Sequence, residues 1–217
     1  MANRQTKQKS ATDIAYERIR NGIVSNELEP GARLTIRAMA ELTGVSIIPV
    51  IQALHTLENE GLVETFPNWG SRVITLDRET TRDRYLLREA VECQVARILT
   101  QGLSPDKVSR LKDLAVELDD FVAVETPPGE FWEHDFAFHE TMAKFTECKS
   151  LYKALENINL FRLMQKTKEQ VLFQHISLPK DLHMSLVDAI VSGDPDRAER
   201  QMREHIMVST KGWLPLV

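Results

Sequence analysis

Asp135 and His139 stand four residues apart in the stretch Phe131-Trp132-Glu133-His134-Asp135-Phe136-Ala137-Phe138-His139-Glu140-Thr141-Met142. On a helix that spacing puts them on one face, the face that also carries Phe131, Phe138, Met142 and Phe145. A carboxylate and an imidazole on an apolar stripe need partners, because an unpaired buried charge is costly. Alone, the pair reads equally well as an Asp–His hydrogen bond inside a helical bundle or as half of a metal site.

Two further histidines tip that balance. His183 lies ten residues before Gly193, and His205 lies eleven after Asp194. If the flanking helices form an antiparallel hairpin about Gly193-Asp194-Pro195, both imidazoles stand roughly 15–16 Å from the turn, level with each other. His183 shares its stripe with Leu186, Val187 and Ile190, and His205 with Met202 and Ile206. Asp135, His139, His183 and His205 thus read as a cluster of three histidines and one carboxylate. Such a set suits Zn²⁺ first, and also Ni²⁺, Mn²⁺ or Fe²⁺. His134 points off the Asp135–His139 face, His55 and His175 match no partner spacing, and all three read as surface or structural residues.

Arg88 and Glu92 form a second i,i+4 pair. Spacing alone favours an exposed ion pair worth a few tenths of a kcal/mol. The functional alternative turns Arg88 into the bundle, where its guanidinium would clamp a carboxylate ligand.

The elements that must position these residues divide in two. Residues 1–10 read as a disordered tail. Residues 12–25 are helical, with Ile14, Ile19 and Ile23 along one stripe, and Leu28-Glu29-Pro30-Gly31 ends that helix. A short helix at about 35–42 leads through Thr43-Gly44 to a third helix over 46–60. Ser46 is placed to cap it, Pro49 lies in its first turn, and Gly61 stops it. Residues 62–66 and 72–76 read as strands around the turn Pro67-Asn68-Trp69-Gly70. Three helices and a hairpin outline a winged helix-turn-helix over 11–76. Over 77–217 six helices are expected, at about 78–101, 104–124, 130–146, 149–170, 179–192 and 195–213. The fold class is therefore mainly α, an N-terminal winged helix-turn-helix followed by an all-α bundle.

Composition agrees with a soluble protein. The 217 residues carry a net charge of −5, with 42% hydrophobic and 27% charged residues. Through Leu76 eight basic residues balance eight acidic ones, so the acidity sits entirely in the C-terminal part. No apolar run is long enough for a membrane span, and Met1 to Ser10 has no apolar signal core. Cytoplasmic location is the expectation. Cys93 and Cys148 read as packed thiols, since two cysteines make no disulfide framework.

The chain resembles the GntR family of bacterial transcription regulators, in its FadR/FCD subgroup. The N-terminal resemblance rests on Leu28-Glu29-Pro30-Gly31-Ala32-Arg33-Leu34, Met39-Ala40-Glu41-Leu42-Thr43-Gly44-Val45-Ser46 and Pro49-Val50. It continues through Ala53-Leu54, Leu57-Glu58, Glu60-Gly61-Leu62-Val63 and Gly70. In the C-terminal part it rests on Arg88-x3-Glu92, Asp135-x3-His139, and His183 through Asp188-Ala189-Ile190, Gly193-Asp194, Ala198, Met202 and His205. The six-helix count looks like the VanR-like branch. The resemblance implies a homodimeric, ligand-responsive regulator and no enzyme. It implies a divalent metal on Asp135, His139, His183 and His205, with Arg88 beside a small organic acid. It also implies a palindromic operator, contacted through Arg33, Arg37, Ser46, Gln52 and the wing at Gly70.

One departure bears on that operator. Where the family usually begins its recognition helix Val-Ser-Arg-Thr-Pro-Val-Arg-Glu-Ala-Leu, this chain reads Val45-Ser46-Ile47-Ile48-Pro49-Val50-Ile51-Gln52-Ala53-Leu54. Two arginines are replaced by Ile47 and Ile51, each loss removing a phosphate contact or a bidentate guanine contact worth about 1–3 kcal/mol. Three readings compete. Ile47, Ile48 and Ile51 contact thymine methyl groups. Or DNA binding is weakened and rests on the dimer, Arg37, Ser46, Gln52 and the wing. Or the isoleucines form a protein interface. Altered but real DNA binding ranks first.

The expected function is a ligand-responsive DNA-binding regulator whose bundle binds a metal and, through it, a small carboxylate. A metalloregulator, with the metal itself as signal, is the alternative. A metal-dependent enzyme ranks last: no separate general base, nucleophile motif or glycine-rich phosphate loop accompanies the cluster.

Overall fold

The computed structural model describes residues 9–75, 77–123, 128–158 and 179–210. The chain divides into two compact units between residues 76 and 77.

The first unit opens with α1 (Ala11–Val24), α2 (Ile36–Thr43) and α3 (Ile47–Asn59). Each start has a local chemical cause. Ser10 caps α1 through a capping box with Asp13, so Lys9 and Ser10, expected as tail, belong to the ordered start of α1. Residues 1–8 lie outside the described residues. Thr35 caps α2 by accepting from the Ala38 amide. Ser46 occupies the cap position of α3, but its hydroxyl makes no cap bond. Gly44 ends α2 at φ 71°, a left-handed conformation that a side chain would strain.

The expected hairpin is a three-stranded sheet. The strands β1 (Arg33–Leu34), β2 (Val63–Phe66) and β3 (Gly70–Val73) run in the order β1-β3-β2, all antiparallel. The last strand therefore starts at Gly70, ahead of the expected residue 72. A Cβ on Gly70 would meet the Leu34 carbonyl oxygen at 3.2 Å, and its φ is +106°. The missing side chain lets β1 lie against β3. Ala15, Ile19, Ile23, Leu34, Val50, Ala53, Leu57 and Leu62 form the core of this unit.

The second unit is helical: α4 (Arg78–Leu99), α5 (Pro105–Ala123), α6 (Pro128–Phe145), α7 (149–158), α8 (Leu182–Val191) and α9 (Pro195–Thr210). The parts of the fourth and sixth expected bundle helices beyond 158 and 210 lie outside the described residues. The fifth begins three residues later than expected, at Leu182. Asp77 caps α4 through the Thr80 amide. Asp194 Oδ1 accepts from the Asp196 and Arg197 amides, and Pro195 follows it as the first residue of α9. One apolar core joins α4, α5, α6, α8 and α9 through Leu99, Leu111, Leu118, Phe138, Met142, Leu186, Ile190, Met202 and Ile206. Among the described residues no single helix is long and apolar enough to cross a membrane.

Candidate functional site

Asp135 and His139 face inward from α6, His183 from α8 and His205 from α9. All four are buried. His139 Nε2 lies 3.1 Å from His205 Nε2 and 3.5 Å from Asp135 Oδ1. His183 Nε2 lies 3.6 Å from the same Asp135 oxygen. The His205 ring centroid is 5.0 Å from that of His139 and 5.0 Å from that of His183. The level placement expected of α8 and α9 is thus present, because Gly193, at φ 77°, folds them into a hairpin.

Donor atoms of Asp135, His183 and His205 all lie within 4.8 Å of one another, a group that could hold a metal ion. His139 brings its Nε2 to the same point but falls outside that tightest trio. The chemistry of the donors fits a divalent cation. His183 Nε2 and His205 Nδ1 are buried without a hydrogen-bond partner, an expensive arrangement for atoms that nothing else satisfies. Burial first, then the neighbouring His183 and His139, hold His205 well below the ordinary histidine range. This favours the neutral ring, the form a metal takes as ligand.

Two carboxylates outside the expected set orient the imidazoles. Asp119, on α5, places Oδ1 2.8 Å from His183 Nδ1 and also accepts from the backbone amides of His183 and Met184. This fixes the ring so that Nε2 turns toward Asp135. Burial alone would lower the His183 pKa, but Asp119 and Asp135 outweigh it and leave it raised. On the other side, Glu92 contacts His139 Nδ1 and pairs with Arg88 Nε at 2.5 Å. The sequence held a faint signal for Asp119. It follows the buried Leu118 and lies one turn beyond the buried Ala115, at the edge of an apolar stripe.

Arg88 departs from the exposed ion pair that its spacing favoured. Its side chain is 0% exposed and that of Glu92 1%. Its Nη2 lies 3.4 Å from His139 Nε2, the nitrogen turned toward Asp135 and His205. A guanidinium so placed can bind an anion beside the donor cluster. His134 and His55 stand apart from the cluster, each against a carboxylate, Glu117 at 3.1 Å and Glu58 at 3.5 Å. His175 lies outside the described residues. Burial, then Glu199 and Glu92, push the Cys93 thiol up to about 12, which makes it unreactive.

In the first unit α3 packs Val50, Ala53, Leu54 and Leu57 inward. Its other face shows Ile47, Ile48 and Ile51 at 56%, 69% and 39% exposure. Gln52 is also exposed, but its Oε1 accepts from the Thr12 hydroxyl at 2.7 Å. Arg37 is exposed on α2. Arg33 donates to the Trp69 carbonyl at 2.9 and 2.5 Å and lies over the indole, 4.7 Å from its centroid. A cleft of about 450 Å³ separates α3 from the sheet turn, lined by Ile51, Leu54, Phe66 and Trp69 among others. Helix, tight Gly44 turn, helix and paired strands are the parts of a winged helix-turn-helix.

Family models divide the chain in the same way. The one described as bacterial regulatory proteins, gntR family, matches residues 11–73, and the FCD domain matches residues 83–207. The chain belongs to the GntR family. As a GntR-family protein with an FCD domain, it is a bacterial DNA-binding transcription regulator and not an enzyme. An HTH-type transcriptional regulator from an unstable DNA locus of Streptomyces ambofaciens is 29% identical over 204 residues, covering 93% of this chain and 84% of that one. The HTH-type transcriptional repressor RspR of Escherichia coli K12 is 26% identical over 195 residues, covering 88% and 83%. Among solved structures, McbR/YncC of E. coli superposes with a TM-score of 0.71 at 18% identity, covering 93% of this chain and 96% of that one. At that identity the likeness speaks for the fold alone. It agrees with the GntR-family architecture described above.

Proposed function

We propose that this GntR-family regulator acts as a cytoplasmic homodimer on a palindromic operator and answers to a small carboxylate held at a metal centre in its helical unit. The observation that carries the reading is the convergence of Asp135, His139, His183 and His205 with the buried Arg88 beside them. Those four residues would hold a divalent ion, zinc first among the ions that suit three imidazoles and one carboxylate. When bound, such an ion supplies a Lewis-acidic seat for an anionic oxygen. Arg88 supplies a second, guanidinium seat on the same side as His139. Glu92 holds the guanidinium in place and Asp119 holds His183. The effector acts by binding one DNA-affinity state better than the other. Arg33, Arg37, Ser46, Gln52 and the wing at Gly70 would serve the operator contact, with α3 in the major groove.

Fluorescence anisotropy of the full chain on its own upstream DNA tests this, with a scrambled fragment alongside. The protein is stripped with chelator, reloaded with one metal, and challenged with a panel of small carboxylates. The expected result is specific binding that a carboxylate changes only in the loaded protein. His183→Ala and His205→Ala are expected to lower metal content below the wild-type stoichiometry. Full occupancy in both variants overturns the site. A response to metal alone, unaffected by any carboxylate, replaces the reading with a metalloregulator.

A further inference from the structure

The outward face of α3 carries an unusual instrument for reading DNA. Ile47–Asn59 contains no lysine or arginine. The first turn and a half presents three branched aliphatic side chains, Ile47, Ile48 and Ile51, all exposed. The nearest polar candidate, Gln52, has its Oε1 engaged by the Thr12 hydroxyl, which leaves its amide N–H groups as the donors it can offer to DNA. The arginines of the sheet are engaged as well. Arg33 holds the Trp69 carbonyl, and Arg72 pairs with Glu64 at 2.6 Å. Hydrogen-bonding readout from this helix is therefore scarce, while apolar surface is abundant.

The major groove offers such a surface one matching partner. Guanine presents N7 and O6 as acceptors, cytosine an amino donor, and adenine one of each. Thymine adds a methyl group. An isoleucine pressed on a guanine or cytosine edge would strip water from polar atoms and return no hydrogen bond, which is costly. Pressed on a thymine methyl, it buries apolar area against apolar area. We infer that Ile47, Ile48 and Ile51 read thymine methyl groups, so that each operator half-site carries a run of A·T pairs beneath the first turns of α3. The inference rests on the DNA-binding role of the first unit and adds the class of base it selects.

The test starts with full-length protein, metal-loaded and stripped, selecting from a random duplex library. Anisotropy then compares the enriched site with the same site carrying deoxyuridine for thymidine, which deletes only the methyl group. The expected result is an A·T run beneath α3 and about fourfold weaker binding for each contacted methyl removed. In Ile51→Ala the penalty for at least one deoxyuridine disappears. Residue 51 is exposed, so the variant is expected to keep its thermal midpoint, and Ile48→Ala provides an independent check. Enriched sites with guanines beneath α3, or sites indifferent to deoxyuridine, overturn the methyl readout and leave DNA binding standing. A library that yields no enriched site overturns DNA binding itself, and assigns the isoleucines to a protein contact.

Discussion

Asp119 Oδ1 lies 2.8 Å from His183 Nδ1, and the same carboxylate accepts the backbone amides of His183 and Met184. One side chain on α5 therefore sets both the start of α8 and the rotation of the imidazole that α8 carries. Asp181 occupies the cap position of α8 but makes no side-chain cap bond, so Asp119 does that work from another helix.

Asp119→Ala is expected to lower metal affinity about 10- to 100-fold, the usual cost of losing a carboxylate that orients a ligating histidine. Competition against a chromophoric chelator measures it. Asp119→Asn, which keeps one acceptor oxygen for the α8 amides, separates capping from imidazole orientation. It is expected to retain thermal stability better than affinity. Equal affinity in all three proteins would show that Asp119 serves only the helix end.

Arg88→Met leaves the Glu92 carboxylate buried without its guanidinium. Breaking a buried pair from one side costs about 3–5 kcal/mol. The double variant Arg88→Met/Glu92→Leu is expected to recover most of that stability, because the uncompensated charge is gone. Urea unfolding of the three proteins decides it, and a double variant as unstable as the single one would contradict the charge argument. Neither variant is expected to respond to a carboxylate.

Arg37 is expected to contribute to the salt dependence of DNA binding. Among the described residues of the first unit, Lys9, Arg18 and Arg72 are paired with Glu17, Glu27 and Glu64, whereas Arg37 makes no ion pair. Arg37→Ala is expected to weaken binding about equally on all sequences. It should also flatten the plot of log affinity against log salt by about 1 for each bound protomer. A loss confined to one base position would make Arg37 a base reader instead.

Asp194 supplies a pH-dependent element. Its carboxylate is held below the ordinary 3.8, chiefly by the Arg197 amide and further by that of Asp196. A depressed folded-state pKa means that the stabilisation is present above the unfolded value and is lost as pH falls through the folded one. Asp194→Ala is expected to lower the thermal midpoint at pH 7, with the gap to the wild type closing as pH falls below 3.8. A gap that stays constant down to acid would show that the charge is not responsible.

Much of this was legible in the residues. The helices themselves were read, but their caps were not: Ser10, expected as tail, Thr35 and Asp77 each accept an amide three residues on, while Ser46, the expected cap of α3, makes no such bond. The pairs Asp135–His139 and His183–His205 were legible because a four-residue step fixes one and a hairpin turn the other, and the apolar stripe that each shares argued that the pairs meet in the core. The short strand β1 was not, since two residues carry no periodicity and Arg33-Leu34 is extended only because β3 pairs with it. Asp119 was hidden because its partner lies 64 residues away. The burial of Arg88 and Glu92 was misjudged because an i,i+4 step looks alike on the wet and dry faces of a helix. The packing of α9, α6 and α8 on α4 distinguishes the two.

The donor cluster has no local part larger than one helical turn. Arg88 meets His139 across 51 residues, His183 meets Asp119 across 64, and His139 meets His205 across 66. Contacts of such long sequence separation form only after the chain has given up the entropy of closing those loops. Metal capture at the proposed centre would therefore report the finished state of the helical unit. A chain still emerging from the ribosome, or cut before residue 205, holds an incomplete ligand set. A metal pool would thus meet the full proposed site only when folding of this unit is complete.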